Sequence, residues 1–110
     1  MVYVPDQGDI VLIDFDPSSG KEIMKTRPAF VISRKMFNEH TSMAVVAPIT
    51  STIRNVKIEV ILPESTQTKG SILVYQLKSL DFEARNVRLI EKAPQKIIEK
   101  VISIAQLITQ

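Results

Sequence analysis

Asp9-Ile10-Val11-Leu12-Ile13-Asp14-Phe15 and Pro28-Ala29-Phe30-Val31-Ile32 are two short apolar runs, separated by the polar stretch Gly20-Lys21-Glu22-Ile23-Met24-Lys25-Thr26-Arg27. The first run alternates and the second is rich in β-formers, so both read as strands. The stretch between them carries one carboxylate and three cations and is too polar for a core. Chemistry is often mounted on a loop held between rigid elements. Spacing alone also fits a solvated hairpin loop.

Working outward, Asp9 to Asp14 and Ala29 to Ser33 are expected as strands one and two, and Met43-Ala44-Val45-Val46-Ala47-Pro48-Ile49 as a third. Pro48 offers no N–H, which points its end of that strand to a sheet edge. Val56-Lys57-Ile58-Glu59-Val60-Ile61-Leu62 alternates with period two, the pattern of a half-buried strand. Ser71-Ile72-Leu73-Val74-Tyr75 and Val87-Arg88-Leu89-Ile90 complete the set, and the Ser-, Thr- and Gln-rich segment from Glu64 to Gly70 reads as a loop. Many short strands with turn chemistry between them suggest a compact barrel of mainly β structure.

Pro94 to Thr109 reads as one helix, with Pro at a favourable first position. At 100° per residue its apolar side chains, Leu107, Ile104, Ile97, Ile108, Val101, Ala105, Ile98 and Ile102, sweep about 220°. A stripe of about 100° covers one side of a core. The excess fits either a helix sunk deeply into its own barrel or one that also meets a second subunit.

A chain of 110 residues has room for one core, and a single domain spanning 1–110 is expected. There is no Cys, so neither a disulfide framework nor a thiolate nucleophile is available. The N-terminal residues lack a basic n-region and a continuous apolar stretch, and no apolar run approaches the ~20 residues of a membrane span. A cytoplasmic protein is the expectation. The net charge of +2 is only weakly suggestive of a nucleic-acid partner, but the charge is uneven. Asp6, Asp9, Asp14 and Asp16 precede any cation, then Lys21, Lys25, Arg27, Arg34 and Lys35 follow with Glu22 alone opposing them. That region would attract a polyanion, although a charge run also serves as a solvated face. At 5% aromatic residues, an extended base-stacking platform is not expected.

The order Gly8-Asp9, Asp14-Phe15-Asp16-Pro17, Gly20, Glu22, Arg27-Pro28, then Val46-Ala47-Pro48-Ile49-Thr50-Ser51, then Gln76 with Lys78-Ser79-Leu80, resembles the MazF/PemK family of toxin endoribonucleases. The likeness runs through nearly the whole chain, and its specificity lies in the combination. It implies a small SH3-like barrel of the PemK/CcdB type with a C-terminal helix, acting as a homodimer. It also implies cleavage of single-stranded RNA, and a cognate antitoxin whose acidic, flexible segment covers the basic groove and folds on binding.

Metal-independent RNA cleavage uses the ribose 2′-OH as nucleophile, so a site must supply a base, an acid and positive charge at the phosphate. His40 is the sole histidine and sits in the polar segment Asn38-Glu39-His40-Thr41-Ser42, read as a surface turn, so a histidine pair within one subunit is impossible. No metal-ligand spacing is present, and neither a metal nor another cofactor is expected. The resemblance assigns the catalytic positions to Glu22, Arg27 and Thr50. Arg27 offers a permanently charged fork suited to phosphate oxygens. Glu22 could accept the 2′-OH proton once desolvated, since its ordinary pKa of about 4.3 makes a weak base. Thr50 can place a hydroxyl on a phosphate oxygen or the 2′-OH, or can merely turn a strand end. RNA contacts are expected from Lys21, Lys25, Thr26, Ser51, Thr52, Tyr75, Gln76 and Lys78.

Family members commonly carry an acid immediately before the glutamine, where this chain has Tyr75. A phenol can stack on a base or donate a hydrogen bond, or Tyr75 can simply be an outward strand residue. Two rival functions remain. A non-enzymatic gyrase poison resembling CcdB would share the barrel, but that family relies on a C-terminal tryptophan, and this chain has no Trp. A catalytically silent nucleic-acid-binding barrel would use the basic loop and leave Glu22 without a task.

Overall fold

In the computed structural model, which describes residues 3–16, 25–52 and 58–109, strands β1 (Asp9–Asp16) and β2 (Lys25–Val31) pair antiparallel, with Val11 opposite Ala29 and Ile13 opposite Arg27. The register slips between Asp14 and Asp16, a bulge at the end of the pair. Strand β3 (Ala44–Thr50) lies on the other side of β2, and β4 (Glu59–Ile61) and β5 (Ser71–Leu73) continue the sheet beyond it. Strand β6 (Lys78–Leu80) pairs with the first half of β3, and β7 (Arg88–Lys92) closes on β1. The path is β4-β5-β3-β2-β1-β7, mainly β and antiparallel, followed by the C-terminal helix. The near-equal extents of 33 × 32 × 30 Å fit a sheet curled into a barrel-like body.

The inner strands read as apolar runs because both of their faces are covered. Ile10, Phe30, Ala47 and Ile49 join Ile72 and Val74 in a cluster under the C-terminal helix, whereas Val11, Ile13, Ala29, Val31 and Val46 turn the other way onto Leu80 and Phe82. Alternate residues of one strand therefore belong to different cores. Leu80 and Phe82 belong to a segment that the sequence reading left without a strand.

Pro48 is not at a sheet edge, since β3 is interior. Its tolerance has a different origin. On one side β3 pairs with β6 at Ala44 to Val46 and with β5 at Ile49 and Thr50. Pro48 falls in the gap where one partner ends and the next has not begun, so the missing N–H interrupts neither ladder.

A short helix α1 (Lys35–Thr41) replaces the expected polar turn around His40. Its buried residue is Asn38, whose side-chain amide donates to the carbonyls of Pro5 (2.8 Å) and Ser33 (3.2 Å) and whose Oδ1 accepts from Ser33 Oγ at 2.6 Å. A 3₁₀ turn at Val74–Gln76 ends the fifth strand earlier than expected. The first residues of the expected fourth strand, Val56 and Lys57, lie outside the described residues.

Helix α2 (Gln95–Thr109) buries Ile97, Val101 and Ala105, with Ile98 and Ile104 packed alongside. Ile102 is half-buried, and the last part of the wide apolar arc is not sunk into the barrel. Leu107 is 77% exposed and Ile108 44%. No helix among the described residues is long and apolar enough to cross a membrane.

Candidate active site

Strands β2 and β3 pair with Ala29 opposite Pro48, Phe30 opposite Ala47 and Val31 opposite Val46. Arg27 and Thr50 stand two residues beyond the last pair, on the same ends of the two strands. The two residues line one cleft of ≈ 320 Å³ together with Pro28, Ile49, Ser51 and Lys69. Arg27 and Ser51 are exposed and Thr50 is half-buried, so the cleft is reached from solvent. Thr50 Oγ1 accepts the Thr52 N–H at 3.2 Å, which leaves its own O–H to donate elsewhere.

The far wall of the cleft comes from the loop between β4 and β5. Gly70 has φ +119, and a Cβ placed there would stand 2.0 Å from the Thr50 carbonyl oxygen. Only glycine permits this contact. It brings the preceding residue, Lys69, beside Thr50. The loop is tied down from behind by Glu91, whose carboxylate accepts from Gln67 N (3.0 Å), Thr68 N (2.7 Å) and Thr68 Oγ1 (2.9 Å). Burial pushes the Glu91 carboxyl up, but these three hydrogen bonds and the nearby Lys69 charge outweigh it and hold the group below its ordinary range. The sequence reading missed Lys69 because it stands in a loop of turn-formers. The signal available was the Lys69-Gly70 pair immediately before a strand.

Other expected site residues take different places. Thr26 Oγ1 donates to Asp14 Oδ1 at 2.8 Å, and Asn86 Nδ2 donates to Asp14 Oδ2 at 2.9 Å. These two bonds, against some burial and with help from Arg88 and Arg85, lower the Asp14 carboxyl below its ordinary range. Arg85 also donates to the carbonyls of Asp14 (3.0 Å) and Phe15 (2.9 Å), which fixes the bulged end of β1. Lys78 sits over the Phe15 ring, 4.5 Å from its centroid, so its charge lies at the same end of β1. Tyr75 and Gln76 are exposed on the 3₁₀ turn, and Thr52 is exposed beyond Thr50. His40 is exposed on α1. Lys21 and Glu22 lie outside the described residues, as does the Lys25 side chain.

Two other concavities flank α2. One of ≈ 740 Å³ runs between β4 and the helix, lined by Glu59, Lys96, Glu99 and Lys100, and one of ≈ 260 Å³ lies between Ile32, Leu77 and Ile102. Although larger, the first brings no guanidinium and hydroxyl together. Among the described residues no group of three His, Asp or Glu side chains could hold a metal ion.

The profile of the family described as "PemK-like, MazF-like toxin of type II toxin-antitoxin system" matches residues 6–109. The endoribonuclease toxin MazF of Escherichia coli (strain K12) is 40% identical over 83 residues, covering 76% of this chain and 74% of that protein. The endoribonuclease toxin ChpB of the same strain is 37% identical over 102 residues, 88% of this chain and 87% of its own length. Among solved structures, a chain of the MazE-MazF crystal structure (Form-II) from Deinococcus radiodurans superposes with a TM-score of 0.89 at 31% identity, covering 97% of this chain and 96% of that one.

Proposed function

Because the chain belongs to the PemK-like, MazF-like toxins of type II toxin-antitoxin systems, we propose that it is an endoribonuclease that cuts single-stranded RNA at the Arg27 and Thr50 cleft without a metal ion. The observation that supports this reading is that Arg27 and Thr50, at the ends of two neighbouring strands, line one cleft. In the reaction, the ribose 2′ oxygen attacks the adjacent phosphorus, its proton passes to a base, and the bond to the 5′ oxygen breaks as that oxygen takes up a proton. The products are a 2′,3′-cyclic phosphate and a 5′-hydroxyl. Arg27 stabilises the pentacovalent dianion, a role that needs a fixed positive charge aimed at developing negative charge. Thr50 donates to a phosphate oxygen. Glu22 is the candidate base.

RNA would track past Ser51, Thr52 and the exposed Tyr75 and Gln76, with Lys21, Lys25, Thr26 and Lys78 supplying backbone contacts. The relative from Deinococcus radiodurans was crystallised as a MazE-MazF complex. By analogy this chain pairs with an antitoxin whose acidic segment covers the basic cleft, restraining a cytoplasmic enzyme that otherwise halts translation. The exposed Leu107 and Ile108 support a homodimer.

The test is incubation of the purified protein with a long single-stranded RNA in EDTA, followed by mapping of the cut ends. Cleavage at a short sequence with cyclic phosphate and 5′-hydroxyl ends is expected. Cleavage that stops on chelation and returns with a divalent ion would overturn the metal-free mechanism. No cleavage would favour the silent binding barrel or the gyrase poison.

A further inference from the structure

We propose that Lys69 is a further phosphate-binding residue of the cleft, held against Thr50 by a loop that Glu91 anchors. The inference rests on the nuclease reading and extends it to a residue outside the family resemblance stated above. Three independent constraints fix Lys69. Gly70 packs its backbone against the Thr50 carbonyl, at a distance no side chain allows. Leu62 N donates to Gly70 O at 2.9 Å, and Ser71 pairs with both Thr50 and Ile61, so the C-terminal end of the loop belongs to the sheet. Glu91 accepts the three hydrogen bonds from Gln67 and Thr68 immediately before Lys69.

The ammonium itself donates to the carbonyls of Glu64 and Thr66, both at 2.7 Å. The two carbonyls are neutral and orient the head group, while the Glu91 carboxylate behind the loop offsets part of its charge. An ammonium has three donors, and among the described residues these two carbonyls are its partners. One N–H therefore remains for a phosphate oxygen, on a residue that lines the cleft. Holding the side chain in place beforehand also removes much of the rotamer entropy that a flexible lysine loses on binding.

The experiment measures binding of a short single-stranded RNA with 2′-O-methyl riboses, which cannot be cleaved, at several potassium chloride concentrations. Each phosphate contact on a single strand contributes about 0.7 to the slope of log K against log salt. Lys69→Met should make that slope shallower by about 0.7 and weaken binding about 3- to 10-fold at low salt, while Lys69→Arg should restore both. Thr68→Val removes one Glu91 donor and leaves the charge in place, so its slope should equal that of the wild type. An unchanged slope in Lys69→Met, or the same slope change in Thr68→Val, overturns the proposal and leaves Lys69 as a loop cap. A wild-type protein that cuts RNA while Lys69→Met shows no slope change sinks this inference alone. A wild type that neither binds nor cuts RNA sinks the nuclease reading beneath it.

Discussion

Gly70→Ala should damage the fold and the cleft together. The added Cβ would sit 2.0 Å from the Thr50 oxygen and 2.8 Å from its carbonyl carbon, where real contacts begin near 3.0 Å, so the backbones must part by about 1 Å. The φ of +119 adds strain of its own, because L side chains rarely adopt it. Backbone strain of this kind costs about 1–3 kcal/mol and forced overpacking a further ~1–3 kcal/mol. A total of roughly 2–6 kcal/mol lowers the melting temperature by about 10–30 °C in a domain of this size. The domain should survive at 20 °C, since small domains have about 5–15 kcal/mol to lose. A displacement of about 1 Å at Thr50 or Lys69 should still reduce single-turnover RNA cleavage on the order of 10²-fold. The assay pairs a thermal melt with cleavage at 20 °C on protein verified as folded. A melting point within about 2 °C of wild type and an unchanged rate would refute the claim that the glycine contact shapes the cleft.

Two further outcomes follow from the same geometry. The chain should be a dimer at micromolar concentration, and Leu107→Lys, on a side chain 77% exposed, should yield folded monomer in sedimentation equilibrium. Ile104 packs against the core, so a lysine there would instead report on folding. Asp14 and Glu91 both have lowered carboxyl pKa values, so their contribution to stability is present above the unfolded value of about 4 and is lost as pH falls through the lower folded values. Melting temperature should therefore drop below about pH 4, and Glu91→Gln should flatten that fall; an identical acid limb in the variant would remove Glu91 from the account.

Strands β1 and β3 and the apolar half of β2 from Ala29 are legible from their apolar residues, and α2 from its helical period, whereas Lys25-Thr26-Arg27, expected as loop, begin β2 because a polar strand end carries no apolar pattern. Helix α1 was not legible, since its anchor is a buried amide, Asn38, while Met36 and Phe37 are exposed at 73% and 47%. A helix held by a polar residue shows no apolar period. Strand β6 is three residues long and buries Leu80, too little pattern to detect. At the site, the family resemblance points to Arg27 and Thr50, and the neighbouring ends of β2 and β3 place both on one cleft. Lys69 could not be found in this way. Its place depends on a carboxylate 22 positions away, which has no local signature, and on the adjacent Gly70, whose contact with Thr50 is not written in the sequence although the Lys69-Gly70 pair is.

The most direct test of the central claim is single-turnover cleavage of one single-stranded RNA in EDTA by the wild type, Arg27→Ala and His40→Ala, all verified as folded. Loss of one electrostatic donor at a developing phosphorane should slow Arg27→Ala by ~10²- to 10³-fold, with His40→Ala near the wild-type rate. An Arg27→Ala protein that keeps the wild-type rate, or an inactive His40→Ala, would contradict the assignment of catalysis to this cleft.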